Sequence, residues 1–98
     1  MNNKIVTILE GSVAQGQWGN LQHAYRKLTK EKTAVMPLQS FLIQDTKEPT
    51  HWKIVTVWKN MGSLQKMRNS GEVPVGLRIF REASCEPALS ILTVAEEL

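Results

Sequence analysis

The chain has 98 residues, of which 42% are hydrophobic and 21% charged, and its formal net charge is +3. That length supports one hydrophobic core and not two, so a single domain over residues 1–98 is expected, and the apolar share excludes a disordered chain. The positive charge is dispersed, with Lys27, Lys30 and Lys32 interrupted by Glu31, which excludes the clustered basic stripe that nucleic-acid binding needs.

Lys4 to Glu10 (KIVTILE) is apolar and β-branched with no helical period, and Gly11-Ser12 follows it, which predicts a first strand ending near Val13. From Gln17 to Lys30, Trp18, Leu21, Tyr25 and Leu28 recur at helical spacing while Gln22, Arg26, Lys27 and Lys30 fall elsewhere. This is an amphipathic helix lying on an apolar surface. Pro37 closes the linker before a second strand, Leu38 to Gln44, and the turn-forming stretch Asp45 to Thr50 makes a hairpin with His51 to Trp58 (HWKIVTVW), the strongest strand signal in the chain. Asn60 is placed to cap a helix with Met61, Leu64 and Met67 on one side, which Ser70-Gly71 stops. Pro74 suits the first turn of a last helix through Ala83, with Val75, Ile79 and Phe80 inward, and Ala88 to Ala95 reads as the final strand.

Alternate strand residues point to opposite faces. The third strand therefore sends Trp52, Ile54, Thr56 and Trp58 one way and Lys53, Val55 and Val57 the other, and the first splits Ile5, Thr7 and Leu9 from Val6 and Ile8. Both faces are largely apolar, yet so short a chain covers only one with its own helices. The second face is expected to meet a second copy in a two-fold homodimer, because an isologous contact needs one self-complementary surface.

The run Trp52-Lys53-Ile54-Val55-Thr56-Val57-Trp58-Lys59-Asn60, followed by Leu64 on a helix, resembles the antibiotic-biosynthesis monooxygenase domain over essentially the whole chain. Gly16 before the long helix, the short helix from Pro74 and the Glu86-Pro87 lead into the last strand fit the same pattern. The resemblance implies an α+β fold: a ferredoxin-like βαββαβ protomer with a four-stranded antiparallel sheet, paired as a dimeric α+β barrel, with an apolar cavity between sheet and helices. Characterised relatives include oxygenases that oxidise quinols or polyketide aromatics without metal or flavin, and others that degrade haem. At the haem branch's asparagine, tryptophan and histidine positions this chain carries Thr7, Met67 and Leu77, and leucine cannot ligate iron as an imidazole does, so haem degradation by that route is not expected.

A cofactor-free oxygenase needs a dry cavity and a group that removes a proton to form the reactive anion. His23 and His51 supply the imidazoles, the side-chain type best suited to moving a proton near neutral pH, but their places on a helix and beside a turn read as solvated surface. Trp18, Trp52 and Trp58 each offer an apolar wall with one N–H donor, and the expected ligand-binding residues are Trp58, Met67, Leu77, Arg78 and Tyr25, where the Arg78 guanidinium would hold a ligand oxygen at the rim. No metal-ligand cluster, phosphate-binding glycine loop or nucleophile elbow is visible, so no cofactor or metal is expected. Cys85 is the single cysteine and shows no sign of activation. With no apolar run long enough for a bilayer and no signal-peptide pattern, a cytoplasmic protein with no membrane or nucleic-acid partner follows. The reading is a cofactor-independent monooxygenase-like protein acting on a small aromatic or quinol substrate. The alternative is a non-catalytic or structural dimer of the same fold, binding an apolar ligand or none.

Overall fold

A computed structural model describes residues 3–31, 35–71 and 73–98, so Lys32 of the basic stretch lies outside the described residues. The β-branched segments form strands β1 (Ile5–Ser12), β2 (Gln39–Gln44), β3 (His51–Trp58) and β4 (Ala88–Thr93). Between them lie helices α1 (Trp18–Leu28), α2 (Met61–Arg68) and α3 (Val75–Glu82). The strands pair antiparallel in one sheet of order β2-β3-β1-β4. This is the ferredoxin-like α+β arrangement expected from the sequence, with α2 and α3 sharing the second crossover.

Local chemistry sets the element ends. Asn60 is extended and its Oδ1 accepts the Ser63 N–H at 2.8 Å, which caps α2 as its position predicts. Pro74 stands just outside α3 rather than in its first turn: its ψ of 135° keeps it extended, and the helix begins at Val75. The last strand stops at Thr93, two residues short of Ala95, although the Val94 N–H still reaches the Lys4 carbonyl at 2.9 Å. Met61, expected on the inner side of its helix, is 42% exposed, because on this two-turn helix Leu64 and Met67 supply the packing.

The alternation of strand residues builds the core on one side of the sheet. Trp52 and Ile54 from β3 meet Leu21, Ala24 and Leu28 from α1 and Ile79 and Phe80 from α3, with Val13 and Ala83 at the edges. A smaller cluster at the other end of the sheet joins Ile5, Trp58 and Leu64, with Met67 against it. α3 lies close on β1 at Gly76: a Cβ there would stand 2.6 Å from Leu9 Cδ1, so the Leu9 side chain would have to turn aside. The opposite sheet face carries Val6, Ile8, Val55 and Val57, flanked by Phe41, Ile43 and Leu92 at 49%, 44% and 48% exposure. Among the described residues no helix is long and apolar enough to cross a membrane.

Candidate functional site

Between the two clusters the helices stand off the sheet and leave a cavity of about 310 Å³. This lies at the lower end of the range for small-molecule sites, roughly 300–1,000 Å³. Its floor is the inner sheet face, its roof comes from α1, α2 and α3, and the Leu89 and Ile91 side chains of edge strand β4, 53% and 38% exposed, form its outer wall. Most of the lining is apolar, including Leu9, Leu28, Ile54 and Leu64.

The polar groups fall on one row of the sheet. Ser40 on β2 pairs in register with Thr56 on β3, which pairs with Thr7 on β1, which pairs with Ile91 on β4. Because directly opposed residues share a face, three hydroxyls cross the cavity floor side by side. The Tyr25 phenol on α1 donates to Ser40 Oγ at 3.2 Å, and Ser40 Oγ lies 3.5 Å from Thr56 Oγ1. From the other end, the Trp58 indole Nε1 donates to Thr7 Oγ1 at 3.0 Å. Trp58 and Thr7 are both buried, and among the described residues Thr7 is the one buried side chain bearing a hydroxyl or a charge.

Four of the five residues singled out in the sequence border this space: Tyr25, Trp58, Met67 and Leu77. Arg78 does not line it. Its Nη1 donates to Glu31 Oε2 at 3.0 Å, so the guanidinium is held by a carboxylate that itself stands at the cavity rim. Thr7, Met67 and Leu77, which stand where the haem-degrading branch has its asparagine, tryptophan and histidine, surround the same space with different chemistry. Neither histidine reaches it: His23 is exposed on α1, and His51 faces Glu10 at 3.7 Å. Trp18 and Trp52 lie apart from it, packed edge to face with ring centres 5.9 Å apart. Trp18 Nε1 donates to the Val13 carbonyl at 2.9 Å, whereas the buried Trp52 Nε1 finds no acceptor among the described residues. Burial pushes the Cys85 thiol pKa up, with the Glu86 charge adding to it, so the thiolate is disfavoured.

Thr56 and Ser40 were not legible as site residues, nor were Glu31 and Gly76. A signal for the hydroxyl row does exist in the sequence. The triplet Ile-Val-Thr occurs at Ile5-Val6-Thr7 and again at Ile54-Val55-Thr56, each time placing threonine in phase with residues destined for the inner face. A threonine among inward-facing aliphatics is a polar group that will need a partner.

The fold is that of the antibiotic biosynthesis monooxygenase-like proteins. A protein from Caulobacter crescentus CB15, described as a candidate antibiotic biosynthesis monooxygenase, superposes with a TM-score of 0.71 at 14% identity, over 97% of this chain and 92% of that one. SnoaB, a cofactor-independent oxygenase from Streptomyces nogalater, gives 0.68 at 8% identity, over 98% of this chain and 97% of the other. A conserved protein from Methanosarcina mazei Go1 gives 0.70 at 20% identity, over 92% and 91%. At such identities the likeness is one of fold. No protein-family model and no curated protein matches the sequence.

Proposed function

We propose that the chain is a cofactor-independent monooxygenase-like protein whose cavity receives a small, flat aromatic or quinol substrate, and that it works as a homodimer joined through the outer face of its sheet. The observation that carries the reading is an apolar space of about 310 Å³ with an indole wall and its polar groups gathered on one row of the floor. A planar ring system fits such walls, and a hydroxyl or carbonyl on its edge meets the row. The shared fold with a cofactor-independent oxygenase supports the same chemistry.

In that chemistry, loss of a proton gives an electron-rich anion, which reacts with dioxygen directly. For an activated CH₂ group the balance is CH₂ + O₂ → C=O + H₂O: one oxygen atom stays in the product, the other leaves as water, and the substrate supplies all four electrons. The protein's part is to exclude water, hold the ring and stabilise the anion's oxygen.

Pairing through the outer face is supported by the continuity of Val6, Ile8, Val55 and Val57 with the exposed Phe41, Ile43 and Leu92. A second copy removes this patch from water.

An oxygen electrode read over a panel of anthrones and hydroquinones tests the chemistry. Uptake of one O₂ per ketone formed from an anthrone is the expected result, and a folded protein that holds these compounds with no uptake above background leaves a binding module instead. Light scattering tests the pairing: a dimer is expected, with Val55→Lys giving a monomer. A wild-type monomer at micromolar concentration overturns it.

A further inference from the structure

Hydrogen-bond accounting along the floor row leaves one proton on a buried hydroxyl without an acceptor. A threonine hydroxyl has one hydrogen to give and two lone pairs to receive with. Thr7 Oγ1 receives the Trp58 indole N–H at 3.0 Å, and among the described residues it gives its own hydrogen to no acceptor. The side chain is buried, borders the cavity, and has only the apolar Ile91 beyond it on the row. At the other end of the row the Tyr25 phenol gives its proton to Ser40, and the half-buried Ser40 and Thr56 share one bond of 3.5 Å, which leaves one proton of that pair over as well; Thr7 differs in being the buried hydroxyl and in already receiving a donor.

We infer that the Thr7 hydroxyl is the hydrogen-bond donor that reads the oxygen of the ligand, and that Trp58 acts as its positioning residue. The indole can only donate, so it takes a lone pair of Thr7 and turns that hydroxyl's hydrogen towards the cavity. A donor in front of a second donor is also polarised, which strengthens the bond it makes to a ligand oxygen, above all an anionic one. The ligand class selected is a flat hydrocarbon framework with a phenolic, enolic or quinol oxygen on one edge. This rests on the cavity being the ligand site, and it adds which atom recognises the substrate and which part of the substrate is recognised.

The test is a pair of probes of one shape, 2-naphthol and naphthalene, measured by equilibrium dialysis against the full chain. Naphthalene reports the apolar cavity alone, and the ratio of the two affinities reports the donor. In the wild type 2-naphthol binds more tightly. Thr7→Val keeps the shape and loses the hydroxyl, so the ratio falls by about tenfold, the size of one hydrogen bond in a dry site, while Thr7→Ser restores it. Trp58→Phe lowers the ratio in the wild-type background and leaves it unchanged in Thr7→Val, an outcome that a purely structural role for the indole would not produce. Naphthalene binding also guards against misfolding, since a collapsed cavity loses both probes together. A ratio unchanged by Thr7→Val overturns this inference and leaves the cavity reading standing. Failure of wild-type protein to bind either probe overturns both.

Discussion

Trp52 and Trp58 sit six residues apart on the same strand and point to the same face, yet they do different work. Trp52 is enclosed by α1, α3 and the edge of Trp18, and its N–H is left without an acceptor among the described residues. Trp58 lies in a cluster closed by the two-turn helix α2 and by Val35 of the linker, borders open space and places its N–H on a hydroxyl. The first position is filled for volume, at the cost of one unmade hydrogen bond, roughly 1–3 kcal/mol in a dry interior. At the second, the neighbouring polar group is retained and the packing is left incomplete. One end of the inner face is thus a core and the other an open cavity, with α3 bridging them through Gly76.

The largest expected effect tests the closed end. Trp52→Ala opens a hole that Trp18, Leu21 and Phe80 are too tightly held to fill, and should cost about 3–5 kcal/mol in denaturant unfolding. A loss below about 1 kcal/mol would erase the distinction between the two ends. A smaller change is expected at the open end. Trp58→Phe keeps the ring against Ile5 and Leu64 but removes the donor to Thr7, for a loss of about 1 kcal/mol. The smallest effect is expected in acid. The backbone N–H groups of Glu48 and then Lys47 hold the Asp45 carboxyl below the usual carboxylate range. Its contribution is complete above that range and is lost as pH falls through the lowered folded value. The turn lies at the Trp52 end, where Gln44 pairs with Trp52 and the Val13 N–H reaches the Thr50 carbonyl at 2.7 Å. The protection factors of the Lys47 and Glu48 amides, corrected for the intrinsic pH dependence of exchange, should therefore fall first as the solution is acidified, with Trp58 unaffected, and Asp45→Ala should abolish that fall.

Much of this plan was legible before any coordinates. Strand alternation fixed which residues of β1 and β3 face inward, and Asn60 announced the start of α2 through the one kind of side chain that can satisfy its first N–H groups. The roles of the two tryptophans were not legible, because phase along a strand says which face a residue takes but not what covers it. Arg78 illustrates the same gap. Its place on a rim helix suggested a ligand contact, and the partner it took, Glu31, is 47 residues away in sequence. The three hydroxyls come from three strands, and their alignment is a property of pairing register, which no single segment encodes.

That register gives the hairpin between β2 and β3 a second significance. Side chains alternate with a period of two, so adding or deleting one residue in the turn from Asp45 to Thr50 would slide β2 by one step against β3. Ser40 would then rotate to the outside and Gln39 or Phe41 would take its place beside Thr56. The Tyr25 phenol would lose its acceptor and the cavity floor a third of its hydroxyls, with no residue in the cavity altered. A surface loop that lines no part of the cavity thus acts as a setting for the polarity of its floor.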